Sequence, residues 1–143
     1  MAGIRGTNTR PEMLMRHGLH GRGFRYRLHV SYLPGKPDMV LARHHAVVLV
    51  NGCFWHGHDC HLFRWPGSRR DFWKQKITRN RARDIEVQNA LAADGWRVLV
   101  IWECALKGRG KRPLEDVVRE AAAWLKKKSG RFHEIKGLAH ARS

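Results

Sequence analysis

The sequence predicts an α/β fold in which a mixed central sheet is flanked by helices. Two apolar runs, "HAVVLVNG" and "WRVLVIWEC", are typical of strands that are covered on both faces. Between them, residues 71–94 contain no glycine or proline and mix apolar with charged residues, which indicates one long basic helix ended by Gly95. Buried strands on either side of a helix are the pattern of an α/β domain.

The N-terminal part adds one helix and two further strands. The segment "TNTRPEMLMRHGLHGRG" predicts a short helix with Asn8 or Thr9 as its N-cap, and with Pro11 and Glu12 in its first turn. "FRYRLHV" alternates large apolar and basic residues, as a half-buried strand does. "LPGKPDMVL" then turns into a second strand, and Asp38 falls at its beginning.

The C-terminal part is predicted to hold a final helix at about Leu114 to Lys127, followed by a basic tail that we expect to be loosely ordered. The chain has 143 residues and shows no internal repeat, so one hydrophobic core is the simplest interpretation. We therefore expect a single domain over residues 1–127 and a tail over residues 128–143.

The charge of the chain predicts a polyanionic partner. Its 28 lysines and arginines against 12 acidic residues give a formal net charge of +16. The arginines are spread among apolar segments, which favours nucleic-acid binding. Basic side chains on the long helix would contact phosphates, although a solvated helix face is the alternative for any one of them. They are Lys74, Lys76, Arg79, Arg81 and Arg83.

The cysteines indicate a reducing compartment. There are three of them, an odd number, and the sequence contains no signal peptide or run of 18 apolar residues. We expect a cytosolic protein that does not enter a membrane. Its cysteines should then be thiols or metal ligands.

One loop after the first buried strand, "NGCFWHGHDCH", concentrates metal-binding side chains. Together with a cysteine at the end of the second buried strand, it offers three sulfurs and one nitrogen, a set that suits tetrahedral structural zinc. The predicted ligands are Cys53, His58, Cys60 and Cys104. His56 and His61 compete as ligands, and thiols without a metal are the alternative.

Asp38, His56 and Glu12 remain as candidate catalytic residues. An aspartate that begins a strand after "PGKP" resembles one half of a nuclease core in which acidic residues hold magnesium. The other half, an acidic residue and a lysine on the next strand, is missing from "VVLVNG". An imidazole can replace that lysine as the proton acceptor, but a histidine in such a loop is more often structural.

Three aromatic residues lie at positions where burial is difficult. Phe54 and Trp55 are on the polar loop, and Trp73 opens the basic helix. Rings in such places favour stacking on nucleic-acid bases, and ordinary core aromatics are the alternative. The apolar patterns around the other tryptophans predict core positions for Trp96, Trp102 and Trp124.

Five segments in this order, "LPGKPDMVL", "GCFWHGHDCHLF", "DFWKQKI", "RARD" and "GWRVLVIWECALKG", closely resemble the very short patch repair endonucleases of the Vsr family. The resemblance runs from about Met1 to Lys107. It implies a restriction-endonuclease-like fold, related to the PD-(D/E)XK nucleases, with a structural zinc. It also implies a magnesium-dependent hydrolase that nicks double-stranded DNA 5′ of the thymine in T:G mismatches left by deamination of 5-methylcytosine.

The resemblance further implies roles for individual residues. Asp38 and the main-chain carbonyl of Val50 would bind magnesium. His56 would be the general base, Glu12 would support activity, and Asp84 would form a supporting hydrogen bond. The predicted zinc ligands match those of the family. The intercalating wedge would be Phe54, Trp55 and Trp73, and minor-groove contacts would come from Met1 and Ile4.

The chain departs from the family at Asn51, where the family has a histidine near the metal centre, and Val50 replaces a threonine of some members. An amide cannot become cationic or act as a base. The short N-terminus would also weaken the minor-groove contact. The alternative function is therefore a catalytically weak or inactive zinc-stapled module that binds mismatched DNA.

A related restriction endonuclease that cuts both strands is a third interpretation, and it would require dimerisation. If the protein is the mismatch-nicking endonuclease, we expect a monomer in the bacterial cytoplasm, associated with the nucleoid. Contacts with mismatch-repair proteins are expected by analogy with the family.

Overall fold

The computed structural model describes residues 9–28 and 30–138, and these residues form a five-stranded mixed sheet with three α-helices. The strands are β1 (Arg27–Leu28), β2 (Met39–Leu41), β3 (Ala46–Asn51), β4 (Arg97–Trp102) and β5 (Phe132–Ile135). The helices are α1 (Arg10–Gly21), α2 (Arg70–Ala93) and α3 (Leu114–Lys126). The predicted α/β class with a mixed central sheet is confirmed.

The strands lie in the order in which they occur along the chain, β1 to β5. β1, β2 and β3 are antiparallel, whereas β3, β4 and β5 are parallel. β3 and β4 pair over their whole length, from Ala46 opposite Arg97 to Asn51 opposite Trp102. The segments that follow these two strands therefore leave the sheet at the same end, beside the C-terminal residues of β3 and β4.

The two central strands are covered on both faces, as their unbroken apolar runs predicted. Along β3, Ala46 and Val48 pack into a core that is shared with α1 and α3. The alternate residues Val47 and Leu49 pack into a second core, which contains Leu91 of α2. This alternation follows from the two-residue period of a strand, and it leaves little room for polar side chains on either face.

A capping box explains why α1 starts where it does. Thr9 is the N-cap, its hydroxyl accepts a hydrogen bond from the N–H of Glu12, and the Glu12 carboxylate accepts one from the N–H of Thr9. This capping box satisfies two otherwise unpaired donors at the start of the helix. Pro11 lies in the first turn, where its missing N–H costs nothing.

Two predictions about the outer parts of the sheet are wrong in extent. Among the described residues of the predicted strand "FRYRLHV", only Arg27 and Leu28 pair with β2, and both are exposed. The expected loose tail from Lys128 instead contains β5, which pairs with β4 and buries Ile135. His133 and Glu134 of this edge strand are polar and half-buried, so the strand has no apolar run that would mark it.

Within the described part of the chain, no helix combines the length and the apolar character that are needed to cross a membrane. α2 has 24 residues, but basic side chains recur along it.

Candidate active site and metal centre

Asp38 lies at the point where the chain enters β2, directly beside the end of β3. Its N–H donates to the carbonyl of Val48 over 3.0 Å, and its Oδ2 accepts a hydrogen bond of 2.6 Å from the N–H of Val50. The N–H and C=O groups of one strand residue point to the same side. The Val50 carbonyl is therefore on the Asp38 side of β3, as the predicted magnesium site requires.

Glu12 reaches the same place from α1, where the capping box fixes its position. It is 2% exposed, it is hydrogen bonded to Asp38, and its Oε2 accepts from Nη2 of Arg16 over 2.7 Å. Arg16 was not among the predicted site residues, although its i, i+4 spacing from Glu12 is the usual signal for such an ion pair. Its guanidinium supplies the positive charge that this buried acidic pair needs.

The two carboxyl groups have opposite pKa shifts. Burial and the hydrogen bond with Glu12 raise the pKa of Asp38 to about 8. Burial alone would also raise the pKa of Glu12, but its hydrogen bonds with Asp38 and Arg16 lower it. The pair therefore holds a proton on Asp38 at neutral pH, and a divalent cation bound by carboxylate oxygen would replace that proton.

The predicted zinc ligands lie together. The ligand atoms of Cys53, His58, Cys60 and Cys104 are all within 4.8 Å of one another. Nδ1 of His58 is 3.5 Å from Sγ of Cys53 and 3.7 Å from Sγ of Cys104. Ligand atoms around tetrahedral zinc are separated by roughly 3.8 Å, given Zn–S bonds of about 2.3 Å, so the residues present fit this metal.

The surroundings of the sulfurs favour one thiolate, at Cys104, while burial raises the pKa of Cys60. The backbone N–H groups of Cys104 and Gly137 lie 3.3 Å from the sulfurs of Cys53 and Cys104. The hydrogen bond with Cys53 lowers the pKa of Cys104 to about 4, and the same bond raises the pKa of Cys53. A bound cation would let both sulfurs lose their protons. The His58 ring stacks on Trp102, with centroids 4.0 Å apart, and this contact fixes its orientation.

His56 lies on the same loop and forms a pair with α2. Its Nδ1 is 2.6 Å from Oδ2 of Asp84, and both side chains are about one quarter exposed, at 26% and 24%. Its ring also contacts Trp102 edge to face, with centroids 5.9 Å apart. A carboxylate on Nδ1 selects the tautomer that leaves Nε2 able to accept a proton.

The three predicted wedge residues form one aromatic cluster. The ring centroid of Phe54 lies 5.3 Å from that of Trp55 and 5.4 Å from that of Trp73. The centroids of Trp55 and Trp73 are 6.0 Å apart. All three rings are half-buried, so they are neither core residues nor fully exposed. Three rings that were not predicted to take part continue this cluster on either side, namely Phe63, Trp65 and Phe72.

Three polar side chains outside the loop, none of them predicted to contact it, hold it in place. Asn80 Nδ2 donates to the carbonyl of Trp55 over 2.7 Å, and Arg81 Nη2 donates to the carbonyl of Gly57. Oε1 of Glu103, just after β4, accepts from the N–H of Cys53 over 3.1 Å. Asn80 and Arg81 precede Asp84 by four and three residues and so share its face of α2. This spacing was the sequence signal that they could contact the same loop as Asp84.

The remaining predicted residues take varied positions. Asn51 is buried at the end of β3, where it pairs with Trp102. Trp102 and Trp124 are core residues as predicted, and Trp96 is partly buried against the second core. Met1 and Ile4 lie outside the described residues, as does the alternative N-cap Asn8. Four of the predicted phosphate contacts are exposed, namely Lys74, Arg79, Arg81 and Arg83, whereas Lys76 is half-buried.

Comparison with known proteins identifies a family. The family model described as DNA mismatch endonuclease Vsr matches residues 1–62. The Type II nicking enzyme V.XorIIP of Xanthomonas oryzae pv. oryzae is 51% identical over 110 residues, which cover 77% of this chain and 81% of that protein. The DNA mismatch endonuclease Vsr of Escherichia coli is 42% identical over 107 residues, covering 75% and 69%. The chain belongs to the Vsr family of DNA mismatch endonucleases.

Proposed function

We propose that the protein is a magnesium-dependent DNA endonuclease that nicks one strand of a duplex on the 5′ side of the thymine in a T:G mismatch. Endonuclease activity follows from the family. One observation carries the finer proposal: a single loop after β3 holds Trp55 of the aromatic cluster, His56 with its Asp84 partner, and His58 of the metal centre. Recognition and bond cleavage would thus share one rigid support.

His56 is the proposed general base. Asp84 holds Nδ1, so Nε2 can accept a proton from the water molecule that attacks phosphorus. The Asp84 carboxylate also stabilises the imidazolium that this proton transfer creates. Positioned bases of this kind contribute roughly 100- to 10,000-fold to the rate.

Asp38 and the Val50 carbonyl are the oxygens that would hold magnesium, which when bound would stabilise negative charge on the phosphate. Glu12 would support Asp38 through their hydrogen bond, while Arg16 balances the charge of Glu12. An acidic residue entering β2 beside β3 supports the further proposal of a restriction-endonuclease-like core. That proposal rests on the position of Asp38, since β3 itself supplies no acidic residue or lysine.

Zinc is the proposed structural metal. Its four ligands would come from the loop and from the segment just after β4, where Cys104 lies 44 residues beyond Cys60. Joining them would fix the loop to the sheet and so restrict the motion of Phe54, Trp55 and His56. A closed set of four protein ligands leaves no position for substrate, which supports a structural role.

Double-stranded DNA is the proposed partner. Phe54, Trp55 and Trp73 would insert beside the mismatch, where unstacking costs least, and the basic face of α2 would contact phosphates. We further propose that the mismatches arise from deamination of 5-methylcytosine. The protein would act as a monomer in the bacterial cytoplasm near the nucleoid, together with mismatch-repair proteins.

Asn51 favours a second candidate, a DNA-binding module with weak or no cleavage. Its amide is buried at the end of β3, one residue beyond Val50, and it can neither accept a catalytic proton nor carry positive charge. In this alternative, the aromatic cluster and the zinc loop would still recognise the mismatch.

A nicking assay separates these candidates. Duplexes labelled at either end and carrying T:G, C:G or A:T at one position are incubated with magnesium and the wild-type protein, Asp38→Ala or His56→Ala. Nicking of only the thymine strand, lost in both variants, is the expected result. Tight T:G binding without any nick would support the binding module, and cleavage of both strands would contradict the proposal.

A further inference from the structure

We propose that Arg81 is a positioning residue that holds the loop carrying His56, and that it is not one of the phosphate contacts of α2. This inference rests on the proposed function, because it concerns the rate of the same nicking reaction. Arg81 lies at an exposed position of a basic helix, so its sequence context alone suggests contact with DNA. Its hydrogen bond to the loop indicates a different role.

Three residues of α2 hold three successive residues of the loop. Arg81 Nη2 donates to the carbonyl of Gly57. Asn80 Nδ2 donates to the carbonyl of Trp55, and Asp84 binds the ring of His56 between them. The Arg81 bond therefore holds the peptide between Gly57 and His58, one residue beyond His56, and so restrains the backbone from which the imidazole projects.

Only glycine fits at position 57, for reasons of both backbone conformation and space. Its φ of +59° lies in the left-handed region, which glycine adopts without strain. A Cβ atom at Gly57 would lie 2.5 Å from Cγ2 of Ile77 and 2.7 Å from Nε of Arg81. Ile77 is 1% exposed and cannot move aside easily. The backbone of the loop thus lies directly on α2, and the Arg81 side chain fills the space that a larger residue would need.

The expected consequence of losing this bond is kinetic. Without the Arg81 donor, the loop keeps its proposed zinc ligands but loses one of its three hydrogen bonds from α2. Misplacement of a catalytic group by about 1 Å lowers a rate roughly 100-fold. We expect Arg81→Gln to lower the single-turnover nicking rate at saturating T:G duplex about 10- to 100-fold, with mismatch affinity and zinc content close to those of the wild type.

Arg83→Gln is the matched comparison, since it removes the same charge from the same helix two residues away. Removal of a phosphate contact weakens binding and reduces the slope of log affinity against log salt by about one. We expect that signature from Arg83→Gln and not from Arg81→Gln. If Arg81→Gln weakens binding, reduces the salt slope and leaves the saturated rate intact, Arg81 is a phosphate contact and the inference is wrong.

Two further measurements keep this inference separate from the proposed function. Hydrogen exchange of the backbone amides of residues 54–58 reports on the loop even if the wild type nicks no substrate. Arg81→Gln should accelerate this exchange, and Gly57→Ala should have the same effect because its Cβ displaces the loop from α2. Unchanged exchange in both variants would overturn the positioning role whatever the outcome of the nicking assay.

Discussion

Replacing Asp38 with asparagine should stabilise the magnesium-free protein while abolishing nicking. The amide has nearly the shape of the carboxyl group, it can accept the hydrogen bond from the N–H of Val50, and it can donate to Glu12. Only the ability to ionise is lost. Stability and activity should then change in opposite directions, as expected for a residue kept for function.

The magnitude follows from the pKa of Asp38. Burial and the Glu12 hydrogen bond raise that pKa from 3.8 to about 8, so the folded state binds a proton that the unfolded state has released. The resulting stability is fully present below pH 3.8 and is lost as the pH rises towards 8. The loss is about 1.4 kcal/mol per pH unit, or at most about 4 kcal/mol at pH 7. Because Glu12 shares the proton and the side chain is partly solvated, we expect about 2 kcal/mol.

The assay is urea unfolding at pH 5, 6, 7 and 8 in buffers without magnesium. The stability advantage of Asp38→Asn over the wild type should grow with pH. Asp94→Asn, at the exposed end of α2, is the control, and it should shift the free energy of unfolding by less than about 0.5 kcal/mol. An advantage that is absent, or that does not change with pH, would refute a buried, protonated Asp38.

Three further predictions concern the loop. Cys104→Ala should lower the zinc content below one equivalent and reduce the unfolding temperature, as measured by elemental analysis and calorimetry. His56→Ala should slow single-turnover nicking by roughly 100- to 10,000-fold with unchanged mismatch affinity, and Asp84→Asn should give a smaller loss of the same kind; equal loss of affinity would contradict these roles. Trp55→Ala should weaken T:G binding by about 1–3 kcal/mol if its ring stacks on a base, whereas the exposed Tyr32→Ala should leave binding unchanged in the same titration.

The central fold could be predicted because burial on both faces leaves a mark in the sequence. β3 and β4 are apolar at consecutive positions, and their predicted ends differ from the observed ones by only one or two residues. β5 could not be predicted in this way. Phe132 is 48% exposed and Ile135 is buried, and the two residues between them are polar, so the strand exists because β4 offers an unpaired edge.

Much of the candidate site was predictable for a different reason, which is that its unusual side chains are close together in the sequence. Cys53, His58 and Cys60 lie within eight residues, and Cys104 lies two residues beyond the end of the neighbouring strand β4. The supports of the loop are long-range contacts. Arg81 looks like any other basic residue of α2 until the backbone of Gly57 is placed against it, and no local pattern carries that information.

The end of β3 brings two chemically different ligand sets close together. Val50 and Asp38 offer oxygens, while Cys53, three residues beyond Val50, begins the sulfur and nitrogen set. Soft thiolates select zinc, and hard oxygens select magnesium, so each set discriminates against the other metal through its ligand atoms. Because β3 and β4 are parallel, the segment after β4 places Cys104 at the same end of the sheet as Cys53. A zinc-fixed loop would therefore lie beside an oxygen site without competing for its ion, and His56 on that loop would be held rigidly while the proposed magnesium remained exchangeable.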